Sequence, residues 1–225
     1  MAISLHRGDL PADLSFGPIV AIDTETMGLN PHRDRLCLVQ LSAGDGNAHL
    51  VQMPRGPHKA PRLAALLADP KVLKLFHFGR FDIAMLEHAL GGRCEPVYCT
   101  KIAARLVRTF TDRFGLKDLC KELLGVDLSK QQQTSDWGAV ELTAEQLAYA
   151  ASDVLHLHAL WAKLDALLVN TSHTHHKPLT TIPTAYTPTP AFNESPAQPL
   201  PAAQYKNLDT KSSVVCQAQK TSYFT

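Results

Sequence analysis

The sequence predicts an α/β fold in which helices flank a mixed five-stranded sheet, and three observations support this prediction. First, five short apolar segments have the composition of strands. Second, the first three of these follow one another through short polar links, with Asp45-Gly46 as a hairpin signal, which predicts an antiparallel meander. Third, segments with helical periodicity alternate with the later strands. The predicted strands are 18–24, 36–43, 48–53, 72–78 and 96–100.

The helices are predicted from apolar residues that recur every three or four positions. The last helix has the clearest start, because Thr143 is followed three residues later by Gln146, the pattern of a capping box. An apolar share of 45% is enough for the core of a folded part of about 150 to 200 residues. The predicted helices are 61–68, 80–90, 99–109, 115–124 and 143–168.

The composition changes near Asn170. Residues 170–225 hold seven of the 15 prolines and ten threonines, with little clustering of apolar residues. Such a segment cannot bury enough apolar surface to offset the entropy lost on ordering. We therefore expect one folded domain over 1–169 and a disordered Thr/Pro-rich tail over 170–225.

Charge and cysteine content exclude some classes of protein. The net charge of +1 is unlike that of a broadly basic protein that coats nucleic acid, so an acidic partner must be met by a local patch. The five cysteines are odd in number and lack CxxC spacing, which favours reduced thiols over a disulfide framework. The N-terminus has no apolar signal region, and no apolar run approaches 18 residues. These features predict a cytoplasmic protein without a membrane partner.

Two carboxylates, Asp23 and Glu25, follow the buried-strand pattern Ile19–Ile22. Residues two apart in a strand lie on one face, so both side chains are expected to point the same way. A DxE pair alone is weak evidence, because solvated strands also carry such pairs. At the end of a buried strand, however, two anions cost several kcal/mol unless a cation compensates their charge. A metal site and a solvated pair are about equally supported by this segment alone.

Three further residues of interest lie on predicted helices. Asp82 falls in the first turn of the helix 80–90, where the helix dipole alone favours an acid. Tyr149 and Asp153 are four residues apart, which places them on one helix face. A structural hydrogen bond between them is the simpler interpretation, but the small residues around Asp153 indicate a packed environment. His77 and Arg80 could contact a phosphate or could be structural.

The acids Asp23, Glu25, Asp82 and Asp153 together would form an all-oxygen site. Hard oxygen ligands of this kind select Mg²⁺ or Mn²⁺ over zinc. Two such ions can clamp the attacking and leaving oxygens of a phosphodiester during displacement. This combination predicts metal-assisted phosphodiester chemistry, and the cations would also relieve the repulsion between the acids.

The order of these motifs resembles a known family. The segment DTETMGL from Asp23 to Leu29, the FD pair that ends at Asp82 and the Y-x3-D pair resemble the DEDD superfamily of 3′–5′ exonucleases, in the tyrosine-bearing ribonuclease D subgroup. The histidine-bearing subgroup has His where this sequence has Ala148. Longer segments, including RFGLKDLCKELLGVDLSKQQQTSDWG and LAYAASDVLHLHAL, resemble the nano-RNase C (NrnC) family of alphaproteobacteria. The similarity extends from about Gly8 to about Leu168.

The resemblance implies a ribonuclease H-like fold and two Mg²⁺ or Mn²⁺ ions per active site. Asp23, Glu25 and Asp153 would hold the ion that activates the attacking water, and Asp23 would also bridge to the second ion. Asp82 would hold that second ion. Tyr149 would orient the attacking water.

The resemblance also implies the substrate. Leu29 would act as a wedge between the two terminal bases, and the enzyme would hydrolyse dinucleotides and short oligoribonucleotides to nucleoside 5′-monophosphates. Lys130 and Gln133 lie in a Lys…Ser-Asp-Trp segment similar to one in ribonuclease D relatives, so they are candidates for phosphate contact, whereas Trp137 is expected to be a packing anchor. Longer RNA or DNA 3′ ends are an alternative substrate class. A non-catalytic nucleic-acid-binding relative is an alternative of another kind, against which the intact acids argue.

The family forms a homo-octameric ring, which implies a homo-oligomer here. The match to the family stops near Val169, where a Thr/Pro-rich sequence replaces the expected helical segment. A genuine tail and an altered 3′ end of the gene are both consistent with this departure.

Overall fold

A six-stranded mixed sheet forms the centre of the protein. The structure, a computed structural model, describes residues 2–56, 59–128 and 135–171. The strands lie in the order β1-β4-β3-β2-β5-β6 across the sheet. The strands β2, β3 and β4 pair antiparallel, whereas β1 is parallel to β4, and β5 and β6 extend the sheet in parallel from β2. The strands are β1 (Ile3–Arg7), β2 (Ile19–Thr26), β3 (Leu36–Ser42), β4 (Ala48–Gln52), β5 (Leu73–Phe76) and β6 (Val97–Cys99).

The predicted meander is confirmed, but the predicted number of strands was wrong. All five predicted strands are present, and β1 is the sixth. This strand, ISLHR, is short, contains two polar side chains and one charge, and lies at the edge of the sheet with no fully buried residue. Its strand conformation comes from pairing with β4, more than forty residues away, for example Leu5 with Leu50. A local pattern cannot reveal such a pairing.

The helices occupy both faces of the sheet. Four of the five predicted helices begin and end within two residues of their predicted bounds, although the one predicted over 115–124 continues after α4 as a π-helical segment, Cys120–Leu124. The capping box is present, because Gln146 N–H donates to Thr143 Oγ1 (3.2 Å) and Gln146 Oε1 accepts from Thr143 N–H (2.9 Å). The helices are α1 (Pro61–Ala68), α2 (Arg80–Leu90), α3 (Thr100–Val107), α4 (Leu116–Leu119), α5 (Ala144–Leu155) and α6 (Leu157–Thr171).

The last predicted helix, 143–168, is two helices in the structure. They meet at His156, whose N–H bonds the carbonyl of Val154 instead of the carbonyl four residues earlier. Apolar residues continue at helical spacing across this point, as Val154, Leu157 and Leu160 are all buried, so the periodicity gives no sign of the break. The break ends α5 just after the turn that carries Asp153.

Each face of the sheet has its own core. Val20, Ile22 and Val39 pack against residues of α1 and α2 on one face. Ala21 and Leu75 pack on the other face, against residues of α3, α5 and α6. The side chains of β2 therefore alternate between two different layers of helices. This alternation decides which acids of β2 can meet the acid on α5.

Some predicted features lie outside the described residues. Lys130 and Gln133 fall in 129–134, and nearly all of the predicted tail, 170–225, follows Thr171. Within the described ranges, no helix has both the length and the apolar composition needed to span a membrane.

Candidate functional site

Three carboxylates meet where β2 leaves the core. Asp23 and Glu25 point to the same face of β2, on the side covered by α5, and α5 brings Asp153 onto them. One oxygen from each of the three lies within 4.8 Å of the other two, and all three side chains are half-buried. The sequence prediction that Asp23, Glu25 and Asp153 come together therefore agrees with the geometry. We call these three residues the acidic cluster.

Burial and charge change the protonation of the acidic cluster. The pKa of Asp153 is raised to about 7, mainly by burial; the hydrogen bond from Tyr149 opposes this shift, and the charge of Asp82 adds to it. The pKa of Tyr149 is also raised, first by burial and then by the charges of Asp153, Glu25 and Asp23. The Tyr149 hydroxyl is therefore protonated at neutral pH. In this arrangement it is a hydrogen-bond donor held against Asp153.

Asp82 lies beside the acidic cluster but is not a member of it. Thr24 Oγ1 donates a hydrogen bond of 2.6 Å to Asp82 Oδ1, and the Asp82 side chain is buried. Thr24 points to the face of β2 opposite to Asp23, as the alternation of a strand requires. Asp82 is thus held beside the C-terminal part of β2, on the α2 side of the sheet. Its negative charge helps to raise the pKa of Asp153. The sequence analysis did not identify Thr24, although its place inside the DTET motif was a usable signal.

The acidic cluster fits a hard divalent cation. Oxygen ligands of one Mg²⁺ lie about 2.0–2.1 Å from the ion, so two of them on opposite sides are about 4 Å apart. The 4.8 Å limit that contains the three oxygens requires only small movements to reach that spacing. Three carboxylates form the hard oxygen donor set that Mg²⁺ and Mn²⁺ prefer.

The candidate substrate-binding residues occupy different surroundings. Leu29 is 45% exposed in the loop between β2 and β3, so its side chain is available to a ligand. Arg80 is exposed at the first residue of α2. The His77 ring shares a hydrogen bond of 2.9 Å with Thr100 Oγ1, and burial together with the charge of Lys101 lowers the pKa of His77 to about 3. A phosphate would therefore meet a neutral imidazole at His77.

Three basic residues at helical spacing, Lys101, Arg105 and Arg108, lie along α3 and at its C-terminal end, but they do not form a solvent-exposed row. Only Arg105 is exposed. Lys101 is buried, with Nζ 3.9 Å from the centre of the Phe78 ring, and Arg108 is buried in an ion pair with Glu122. These two cations stabilise the packing around α3, which leaves Arg105 as the exposed charge of this row.

Trp137 packs against the ring of Tyr149. Its side chain is buried, and its ring lies 6.0 Å from the ring of Tyr149 with a tilt of 36° between the planes. The backbone of the same segment is fixed by Gln146, whose Nε2 donates to the carbonyl of Asp136 at 3.2 Å. Trp137 therefore supports Tyr149 from behind, in agreement with its predicted role as a packing anchor.

The comparisons with known proteins agree with this geometry. A model of the family described as 3′–5′ exonuclease matches residues 9–168. The structure of Brucella melitensis NrnC with bound Mg²⁺ is 55% identical, covers 77% of this chain and 85% of its own, and superimposes with a TM-score of 0.73. A structure of the same protein bound to pGG is 56% identical, covers the same shares of the two chains and has a TM-score of 0.74.

The ribonuclease D proteins are more distant and longer. The one from Gluconacetobacter diazotrophicus is 37% identical over 147 residues, which is 65% of this chain. The match spans only 37% of that relative's length. Residues 9–168, which the family model matches, contain the first motif, the FD pair and the Y-x3-D pair of this sequence. Because the family model matches well over half of the chain, and three of its four motif acids form the acidic cluster, this chain belongs to the 3′–5′ exonuclease family.

Proposed function

We propose that the protein is a metal-dependent 3′–5′ exoribonuclease that hydrolyses dinucleotides and short oligoribonucleotides to nucleoside 5′-monophosphates. The observation that carries this proposal is the acidic cluster, in which three carboxylate oxygens lie within 4.8 Å of one another beside the Tyr149 hydroxyl. The exonuclease domain would comprise residues 1–169. The similarity to NrnC, whose structures include bound Mg²⁺ and bound pGG, supports the same proposal.

Each acid has a separate task in the proposed reaction. Asp23, Glu25 and Asp153 would hold one Mg²⁺ or Mn²⁺ ion, and Asp82, fixed by Thr24, would hold a second one together with Asp23. When bound, the two ions would supply a polarised water and charge stabilisation for the phosphate. The four acids would bind the ions, and the hydrogen bond from Thr24 Oγ1 helps to keep Asp82 in place.

Tyr149 would position the attacking water. Because its pKa is raised, its hydroxyl keeps the proton and cannot act as a general base at neutral pH. It can accept a hydrogen bond from a water while donating its own to Asp153, which fixes the direction from which the water approaches the terminal phosphodiester. Trp137 behind the ring limits movement of the Tyr149 side chain.

The preference for short RNA rests on Leu29 and on the similarity to NrnC. An exposed leucine in the loop that directly follows β2, the strand of Asp23 and Glu25, would separate the two terminal bases of a substrate and so favour a dinucleotide. The similarity to ribonuclease D supports the alternative, an exonuclease for longer RNA 3′ ends. DNA ends are a third possibility on the same site.

The test is hydrolysis of 5′-labelled RNAs of two to about ten nucleotides, with matched DNA oligonucleotides, in Mg²⁺ or in EDTA. We expect the dinucleotide to be hydrolysed fastest, the product to be a 5′-monophosphate and EDTA to stop the reaction. Equal rates at all lengths would support the ribonuclease D-like alternative. Activity that survives EDTA would contradict the metal mechanism, and binding without hydrolysis would indicate a non-catalytic relative.

We propose further that the chain forms a homo-oligomer, by extension from the octameric ring of the family. Ile102 and Leu106 on α3 are each 58% exposed, and Phe110 just beyond it is 81% exposed. Ile102 and Leu106, four residues apart, share one face of α3, and exposed large apolar side chains of this kind are typical of an interface. We expect size-exclusion chromatography with light scattering on the full chain to give a mass well above that of one subunit, and a monomer would contradict the proposal.

A further inference from the structure

The loop that carries Leu29 has a closely hydrogen-bonded structure. This loop, 27–35, joins β2 to β3 and will be called the wedge loop. At its base Met27 N–H donates to the carbonyl of Arg35 at 3.0 Å, which continues the pairing of β2 with β3. One residue earlier, Thr26 Oγ1 donates to the carbonyl of Gly28 at 2.6 Å. The base of the loop is therefore fixed by backbone and side-chain bonds together.

Asp34 joins the two sides of the wedge loop. Its Oδ2 accepts a hydrogen bond from Asn30 N–H at 2.9 Å, and its own N–H donates to the carbonyl of Asn30 at 2.7 Å. The neighbouring Arg33 clamps the same carboxylate, with Nε 2.7 Å from Oδ1 and an Nη 2.9 Å from Oδ2. The Asp34 side chain is only 11% exposed, although it lies in a surface loop.

Protonation does not weaken this contact at ordinary pH. Arg33 and the N–H groups of Asn30 and Leu29 lower the pKa of Asp34 to about 2, against the smaller effect of desolvation. The carboxylate is therefore charged at any pH used for an assay, and it accepts a hydrogen bond from the N–H of Asn30, the residue directly after Leu29.

Gly28 provides the space that the Asp34 carboxylate occupies. A Cβ at position 28 would lie 2.3 Å from Asp34 Oδ2 and 2.7 Å from Cγ, closer than real Cβ contacts. Gly28 does not have a positive φ, so an alanine there would carry no backbone strain of that kind. Its small size matters because the carboxylate lies against its backbone, directly beside Leu29.

We propose that Asp34 is a positioning residue that fixes Leu29 in place. Through Leu29 it sets the preference of the enzyme for substrates that have two terminal bases, which the leucine separates. The inference rests on the proposed function, in which Leu29 is the wedge. A leucine inserted between two stacked bases must hold its place against their tendency to stack. Because Leu29 lies in a loop, the bonds of Asp34 to Asn30 and its close approach to Gly28 hold the backbone on both sides of Leu29 and supply that rigidity.

The test compares two substrates that both carry a phosphodiester on the 5′ oxygen of a nucleoside. One is an RNA dinucleotide, which has two bases. The other is the p-nitrophenyl ester of thymidine 5′-monophosphate, in which an aryl leaving group replaces the upstream nucleoside, so that no second base is present. In Asp34→Asn the amide keeps the size but loses the charge and one of the acceptor oxygens. We expect kcat/KM for the dinucleotide to fall by about tenfold relative to the ester, since a misplaced wedge affects orientation. The loss should appear mainly in kcat, because a misoriented substrate still binds but reacts more slowly.

Three further variants complete the design. Gly28→Ala displaces the carboxylate by a separate route. It should give the same change in the ratio of kcat/KM for the dinucleotide to kcat/KM for the ester, which keeps the test valid if Asp34→Asn folds poorly. In Leu29→Ala, which removes the wedge, adding Asp34→Asn should cause no further change in ratio. Asp45→Asn is the matched control, because Asp45 caps Asn47 N–H at 3.0 Å in the β3–β4 hairpin. It should leave the ratio at the wild-type value.

The outcomes separate the inference from the proposed function. If the wild type hydrolyses neither substrate, the proposed function is wrong and the inference is wrong with it. If the wild type hydrolyses both and Leu29→Ala lowers the ratio, but Asp34→Asn and Gly28→Ala do not, the function stands and the positioning role of Asp34 is overturned. A parallel loss on both substrates in Asp34→Asn, with a lower melting temperature, would assign Asp34 a structural role only.

Discussion

The variant Asp23→Asn should hydrolyse an RNA dinucleotide about a thousandfold more slowly than the wild type, or slower still, because the ions supply several kcal/mol of charge stabilisation in the transition state. Asn keeps the size and shape of the side chain but removes the anion at the centre of the acidic cluster. Steady-state assays at saturating Mg²⁺, with nucleoside monophosphate as the measured product, give the rate.

The same variant should not lose stability without metal. Like charges within 4.8 Å repel by at least about 3 kcal/mol at an effective dielectric constant of about 20. We therefore expect the melting temperature of Asp23→Asn in EDTA to equal or exceed that of the wild type. Asp45→Asn, which removes the same charge from the β3–β4 hairpin, should keep full activity. A large fall in the metal-free melting temperature of Asp23→Asn would show that Asp23 is needed for folding and would contradict this electrostatic argument.

The main part of the fold could be predicted because its determinants are local. The alternation in β2, the Asp45-Gly46 turn and the Thr143 capping box each depend on residues within a few positions of one another. Strand β1 depends instead on pairing with β4, which is distant in sequence. The helix breaks at His156, although the apolar periodicity of the sequence continues across that residue. These two features follow from tertiary contacts that no local pattern contains.

The candidate site was predictable to a similar extent. The positions of Asp23, Glu25 and Asp153 follow from strand alternation and from the helix over them. The position of Asp82 does not, because its distance from the cluster is set by the hydrogen bond from Thr24 on the opposite face of β2. The burial of Lys101 could not be predicted for a related reason, since spacing along a helix shows which residues share a face but not what covers it.

The variant Asp153→Asn should change the pH dependence of stability in the metal-free protein, in addition to losing activity. An unfolded aspartate has a pKa of 3.8, whereas burial raises that of folded Asp153 to about 7. Between these values the folded protein holds a proton that the unfolded chain has released. The free energy of unfolding of the wild type therefore falls as pH rises from about 4 to about 7, by up to about 1.4 kcal/mol per pH unit from this group.

The amide that replaces this carboxyl does not titrate, so Asp153→Asn should be more stable than the wild type at pH 7.5 in EDTA, and the difference should disappear near pH 4. Urea unfolding at both pH values measures it. For Asp45→Asn we expect the opposite effect of pH on stability. Its bonds to Asn47 lower the pKa of Asp45, so the variant is less stable than the wild type above that pKa. Mg²⁺ should raise the melting temperature of the wild type at pH 7.5 much more than that of Asp153→Asn, because an ion that binds only the folded state stabilises it. An equal rise in melting temperature with Mg²⁺ in both proteins would show that Asp153 does not hold the metal ion.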